Sequence, residues 1–430
     1  MKRNLFVVLA MALCVSGTAQ ENSSDSTRQT VSAGHLRVGG YGEANYSRHF
    51  FSDHVSRYSQ PEQHKDDPSH GRFDIPHAVI YLGYDFGRGW SLGTEIEFEH
   101  GGMGIAYEKE DEEGGEWEQE TEKGGEVALE QFWLQKSFVR WANIRVGHII
   151  VPVGLNNAHH EPLNFFTVYR PEGENTILPS TWHQTGLSFW GRYMDFRYEA
   201  QLLAGLNADH FINTGWINKG AASPLEFDVA NKYGASLRID NYSVSGLRIG
   251  LSGYYGHSIG NSYPNDANGA GATYQGKVAI GAVDFTYNAH HWIVRGQADY
   301  GCLGNAAQLK YLYNRLNSKS PYKHSAFVSS HAYAIGVEAG YDVLWQLAQR
   351  RQRDWQLYVF GRFEAYNPYA SKTNGVGYDY TAVKRIAVGV NYKPIRQIVI
   401  KGEYSRRFLK SLYNDEPSVN IGIAYEGFFL

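Results

Sequence analysis

From about residue 35 to its end the chain repeats one pattern. Segments of roughly ten to fourteen residues alternate apolar side chains with small or polar ones. A strand turns successive side chains to opposite faces, so each segment predicts one apolar and one polar face. Ile386, Val388, Val390 and Tyr392 alternate with Arg385, Ala387, Gly389 and Asn391. Ile398, Ile400 and Tyr404 oppose Lys401, Glu403 and Ser405, and Leu247, Ile249 and Leu251 oppose Arg248 and Ser252. Sixteen strands are expected, starting near residues 35, 74, 90, 127, 143, 182, 194, 229, 246, 276, 291, 331, 354, 381, 396 and 418.

The connections alternate in length. Tight turns fall at Gly87-Arg88-Gly89, near Ala142, at Arg192-Tyr193, from Asn241 to Ser245, near Ala289 and near Pro394. Long stretches separate them at about 48–72, 100–126, 154–181, 207–228, 257–275, 303–330 and 366–380. On the short side, only the connection near Leu344 to Arg353 is longer than a turn. A soluble sandwich has no reason to sort loops by parity. An outer-membrane barrel does, with short turns in the periplasm and long loops outside. Hydrocarbon also demands closure, because an open sheet edge there leaves backbone groups unpaired. The expected fold is therefore all-β: a single transmembrane antiparallel β-barrel of about sixteen strands over 35–430. Aromatic residues at segment ends, such as Trp292 with Tyr300 and Trp355 with Phe363, suit an interfacial girdle.

Composition agrees. The 430 residues carry a net charge of −4, which leaves no basic surface for nucleic acid. With 47 glycines and 31 tyrosines the chain suits a sheet better than a helical enzyme. Two cysteines, Cys14 and Cys302, cannot make a disulfide framework. Lys2 and Arg3, the apolar run from Leu5 to Val15, and the small residues Ser16 to Ala19 read as a signal peptide over 1–19. That run is too short to span a bilayer. A short flexible segment, 20–34, follows. The expected location is the outer membrane of a Gram-negative bacterium.

Sixteen strands enclose an aqueous channel rather than a side-chain core. The polar faces put Arg37, Arg197, Arg238, Arg248, Arg295, Arg362, Arg385 and Lys401 inside as pore-lining cations. The same faces carry twelve acids, among them Glu199, Asp299 and Glu403. That mixed lining has no anion bias and leans toward cations. The third long connection mixes apolar, aromatic and charged residues, which suits a loop folded inward. Its constriction candidates are His159, His160, Glu161, Tyr169, Arg170, Glu172 and Glu174. The second long connection holds ten acidic residues from Glu108 to Glu126, read as a solvated loop.

In three short motifs and in architecture the chain resembles the phosphate-selective porins O and P, particularly their Bacteroidetes-like relatives. The likeness rests on Arg145-Val146-Gly147-His148 leading into Val151-Pro152-Val153-Gly154-Leu155. It rests also on Gly40-Tyr41-Gly42-Glu43 and on Lys401-Gly402-Glu403-Tyr404. The resemblance implies a trimeric sixteen-stranded channel, narrowed by its third loop, passing small hydrophilic solutes or ions. Phosphate selectivity in that family depends on arginines climbing the lumen, and the mixed lining here does not reproduce it.

Other classes fit less well. A gated transporter for hydrophobic solutes needs an apolar lumen and an N-terminal plug. A soluble exported β-rich binding protein leaves the loop parity unexplained. His159-His160-Glu161 lacks a third metal ligand at suitable spacing, and no nucleophile elbow or H-E-x-x-H helix is present. No enzyme activity, cofactor or metal is expected.

Overall fold

Strands that cross hydrocarbon must pair on both edges, and in the computed structural model every barrel strand but the short His70–Asp74 does. The model describes residues 34–54, 56–111, 117–179, 181–221, 229–261, 275–309, 327–347 and 355–430, with backbone only at 100–111, 117–126, 158 and 209. The expected signal peptide at 1–19 and the expected 20–34 segment, apart from Gly34, lie outside the described residues, as does Cys14.

The strands are β1 (His35–His49), β2 (His70–Asp74), β3 (His77–Gly87), β4 (Trp90–Asp111), β5 (Trp117–Val139), β6 (Ala142–Ile150), β7 (His183–Tyr193), β8 (Phe196–Ala204) and β9 (Tyr233–Val244). They continue as β10 (Leu247–His257), β11 (Lys277–Ala289), β12 (Trp292–Leu303), β13 (His331–Asp342), β14 (Gln356–Asn367), β15 (Val383–Ile395), β16 (Ile398–Phe408) and β17 (Glu416–Phe428). Each pairs antiparallel with its neighbour, and β1 closes the sheet on β17 from Gly39↔Phe428 to His49↔Ser418.

Seventeen segments make sixteen staves. β1 pairs with β3 over His35–Gly42 and with β2 over Asn45–His49. The break falls at Ile75-Pro76, where proline has no N–H to give the ladder. The expected second strand is thus one interrupted stave. The expected acidic loop at 100–126 is corrected too: β4 and β5 run on as a paired ribbon from Gly104↔Gly124 to Asp111↔Trp117. No proline interrupts this stretch, so a ladder already in register extends. Residues 112–116 lie outside the description.

Tight turns cluster at one barrel end, together with both ends of the sheet. Ala289↔Trp292 closes a two-residue hairpin whose His290 and His291 both have positive φ, 53° and 67°. That conformation matches the twist of the strands.

The apolar face points outward. Leu251 is 62% exposed and Ile421 54%, with Leu237, Ile335, Val388 and Ile400 in the same belt. Trp292 and Tyr300 face outward near opposite ends of β12. A belt this large in water would be an aggregation surface. In lipid it is the solvated face, and it places the barrel in an outer membrane.

The inward faces are not uniformly polar, which corrects the expected lining. At the loop-side ends of β8, β11 and β12, Leu203, Val278, Ile280 and Leu303 are buried. Trp182, Leu206, Phe211, Trp216, Ile217, Ile259 and Leu309, from the long connections, pack on them as one cluster. Connections folded over that end turn inward positions into a core, each large side chain contributing about 1.5–3 kcal/mol.

Candidate channel constriction

The connection between β6 and β7, residues 151–182, is tied shut at its base by one side chain. The Asn157 Nδ2 donates to Val151 O at 2.5 Å and to Trp182 O at 3.2 Å, while its Oδ1 accepts from the Trp182 backbone N–H. Gly154 turns the chain at φ +80°, and an added Cβ would meet the Glu174 carboxylate at 2.2 Å. Glu174, on the short helix Glu172–Ile177, accepts the backbone N–H groups of Leu155, Asn156 and Asn157 at 3.1, 2.9 and 3.1 Å. Burial pushes this carboxyl up to about 7, against the pull of those donors.

From this base the loop reaches strands far along the sheet. The Lys401 Nζ, on β16, donates to Pro162 O, Phe165 O and Thr167 O at 2.6, 2.9 and 2.8 Å. It also lies 4.1 Å from the centre of the Phe165 ring. Glu403 accepts the Val168 N–H at 2.9 Å, and Glu364, on β14, accepts the Gly173 N–H at 3.0 Å. On β9 the Arg238 Nη1 donates to Gly154 O at 2.7 Å. Glu172 accepts from Arg407 through Nε and Nη2, both at 2.8 Å, and from the Tyr366 hydroxyl at 2.9 Å. Burial, the largest single influence, would raise the Glu172 carboxyl, but Arg385 and Arg407 hold it down to about 2.

The cations expected to line a pore are mostly paired. Arg197 meets Glu199 at 2.6 Å, and Arg238 and Arg248 share Asp240 and Asp284. Arg295 and Arg362 hold Glu338 at 2.6 and 3.0 Å, and Arg385 bridges Glu364 and Glu403, both at 3.1 Å. Arg37 is partly buried on the inward face of β1, toward the turn end. Asp299 is buried and, among the described residues, has no hydrogen-bond partner on either oxygen.

The loop candidates divide. His159 is exposed. His160 is buried, with Nδ1 3.1 Å from Asn157 O, and Glu161 accepts from Asn164 at 2.8 Å. Tyr169 reaches Ser47 at 3.2 Å, and Arg170 donates to the Thr181 hydroxyl at 2.8 Å. Beside the loop lies a cavity of about 430 Å³, bordered by Glu43, His77, Tyr169, Arg170, Glu172 and Arg407.

Sequence reading missed Asp284, Glu130 and Arg407. Asp284 shares its inward row with Val278, Ile280 and Ala282, which imitate a lipid face. Glu130 sits at a slip in register, where Glu95 pairs with Gln131 but Ile96 pairs with Leu129. Such a bulge puts two successive residues inward and defeats a count by twos.

Known proteins agree with the architecture. No family model matches. An uncharacterized protein of Aquifex aeolicus (strain VF5) is 26% identical over 381 residues, 87% of this chain and 76% of that protein. The outer membrane channel DcaP of Acinetobacter baumannii aligns over 92% of this chain and 98% of its own, with a TM-score of 0.53 and 11% identity. An anion-selective porin from Comamonas acidovorans covers 92% and 100%, with a TM-score of 0.51 and 10% identity. A loop L8 deletion mutant of OmpT from Vibrio cholerae also gives 0.51, at 12% identity. At such identities the likeness is one of fold. The chain has the closed sixteen-stave fold of outer-membrane porins.

Proposed function

We propose that this barrel is a passive channel for small hydrophilic solutes or ions, narrowed by the loop at 154–181. The observation that carries the reading is the grip of Lys401 on three loop carbonyls. A connection that starts between β6 and β7 is held on β16, so it crosses the interior. The fold shared with DcaP and the Comamonas porin supports it. Arg37, Arg197, Glu199, Arg238, Arg248, Arg295, Asp299, Arg362, Arg385, Lys401 and Glu403 belong to the inner wall, and the pairing of most of them opposes strong anion selection. Membership of the phosphate-selective porin O/P group, and a trimer, rest on the sequence resemblance.

Planar-bilayer conductance under a salt gradient tests this reading. Folded protein is expected to give discrete steps with a weak or cation-leaning reversal potential. Lys401→Met, which frees the loop carbonyls, should raise step size several-fold and expose 154–181 to protease. Folded protein without steps would overturn the channel.

A further inference from the structure

Three clusters of His, Asp and Glu stand close enough to share an ion among the described residues. His49, Asp53 and His70 lie partly exposed, with His70 already bound to Asp53. His77, Glu97 and Glu99 contain a short pair, His77 Nδ1 to Glu97 Oε1 at 2.5 Å. The third, Glu95, Glu130 and His160, is different. All three are buried, and each offers a ligand atom within 4.8 Å of the other two.

Its unmet bonding is specific. Glu130 has 0% exposure, and its carboxylate oxygens meet no nitrogen donor among the described residues, only the neighbouring Glu97 carboxyl, which can share a proton with it. His160 is 5% exposed; its Nδ1 faces Asn157 O, while its Nε2 has no partner. Glu95 is held by Gln131 through one oxygen. Glu97 and Glu95 both repel Glu130, and Arg170 is a cation that acts on it. Buried acids crowded together without donors favour a bound cation or a shared proton. The bulge at Glu130 and Gln131 directs both residues inward beside Glu95.

We propose that Glu95, Glu130 and His160 form a site for a divalent transition-metal ion that staples the loop to the β4–β5 wall. Two carboxylates and an imidazole suit Zn²⁺ or a similar ion, whose ligand bonds of about 2.0–2.2 Å need only small side-chain adjustments here. Ca²⁺ would ask for about six to eight oxygens, which this nitrogen-containing set does not supply. The site does not depend on the channel reading, since a metal staple would serve any barrel with this loop.

The test uses full-length barrel in detergent, stripped with chelator, passed through a desalting column, and titrated with ZnCl₂. The expected result is one Zn²⁺ per chain by elemental analysis and a rise of several degrees in unfolding temperature. Glu130→Gln and His160→Gln should each weaken binding about 10- to 100-fold, whereas Glu62→Gln, at an exposed position on the first long connection, should not. If Glu130→Gln yields no folded barrel, His160→Gln decides. Wild type that retains no Zn²⁺, or a folded His160→Gln that retains it with unchanged affinity, would overturn the site.

Discussion

Two stretches of the same inner wall solve the burial of carboxylates in opposite ways. From β8 to β9, and again from β12 to β15, acids and guanidinium groups lie directly across from each other. The pairs are Glu199↔Arg238, Arg197↔Asp240, Arg295↔Glu338, Glu338↔Arg362 and Glu364↔Arg385. Each acid is met by a neighbouring strand, and opposite charges in that register support the sheet. On β4 and β5 no such alternation exists. Glu95 faces Gln131, Glu97 faces Ala128, and Glu130 is the extra residue of a bulge. Apart from His77 of β3, which meets Glu97, positive charge there comes from off the sheet, from Arg170 and His160 of the loop or from an ion. One wall is self-sufficient, and the other is complete only with the loop in place.

The sharpest way to break this contrast is Arg385→Met. It would strip a guanidinium from Glu364, Glu403 and Glu172 at once. Glu364 keeps Arg362 and Glu172 keeps Arg407, but Glu403 loses its guanidinium, and breaking a buried pair in this way costs about 3–5 kcal/mol. The temperature at which the heat-shifted gel band of the folded barrel disappears should fall clearly. A band that survives unchanged would mean the paired wall is not held by its charges.

Glu174 tests a third solution, an acid buried against backbone N–H groups. Its folded pKa, about 7, lies above the ordinary carboxyl value of 4.5, with burial as the largest cause. The folded loop therefore binds the proton more tightly than the unfolded one does. The stability it contributes is full below about pH 4.5 and is lost as pH rises through about 7. Cleavage of 154–181 by a protease active across that range, corrected for the enzyme's own pH profile, should quicken over this window. Glu174→Gln should flatten the trend. An equally steep trend in that variant would assign it to another group.

The staves were legible because lipid and water impose a strict period of two. Leu247, Ile249 and Leu251 against Arg248 and Ser252 needed no other information. The loop was legible from its mixture of Phe165, Phe166, Tyr169 and Arg170, too apolar for open water. Its partners were not, because Lys401 meets Pro162 across a separation of 239 residues that only closure brings together. The row Val278, Ile280 and Ala282 hides Asp284 from a sequence reading for a related reason. A core built by folded-in loops presents the same apolar side chains as a lipid face. The metal-ligand set escaped notice because His160 was weighed with its sequence neighbours, whereas its candidate co-ligands come from β4 and a bulge on β5.

The smallest expected effect separates the two walls most cleanly. In metal-stripped protein, Glu130→Gln removes one of several crowded negative charges and supplies an amide that can donate to Glu95 or Glu97. Relief of like-charge repulsion is worth about 1 kcal/mol or less. The heat-shifted band should therefore persist to the same temperature or slightly higher, the opposite sign to Arg385→Met. Restoring Zn²⁺ should then stabilise the wild type but not the variant. If Glu130→Gln instead weakens stripped protein as much as Arg385→Met does, Glu130 already has a partner within the chain. The β4–β5 wall would then be as self-sufficient as the paired one.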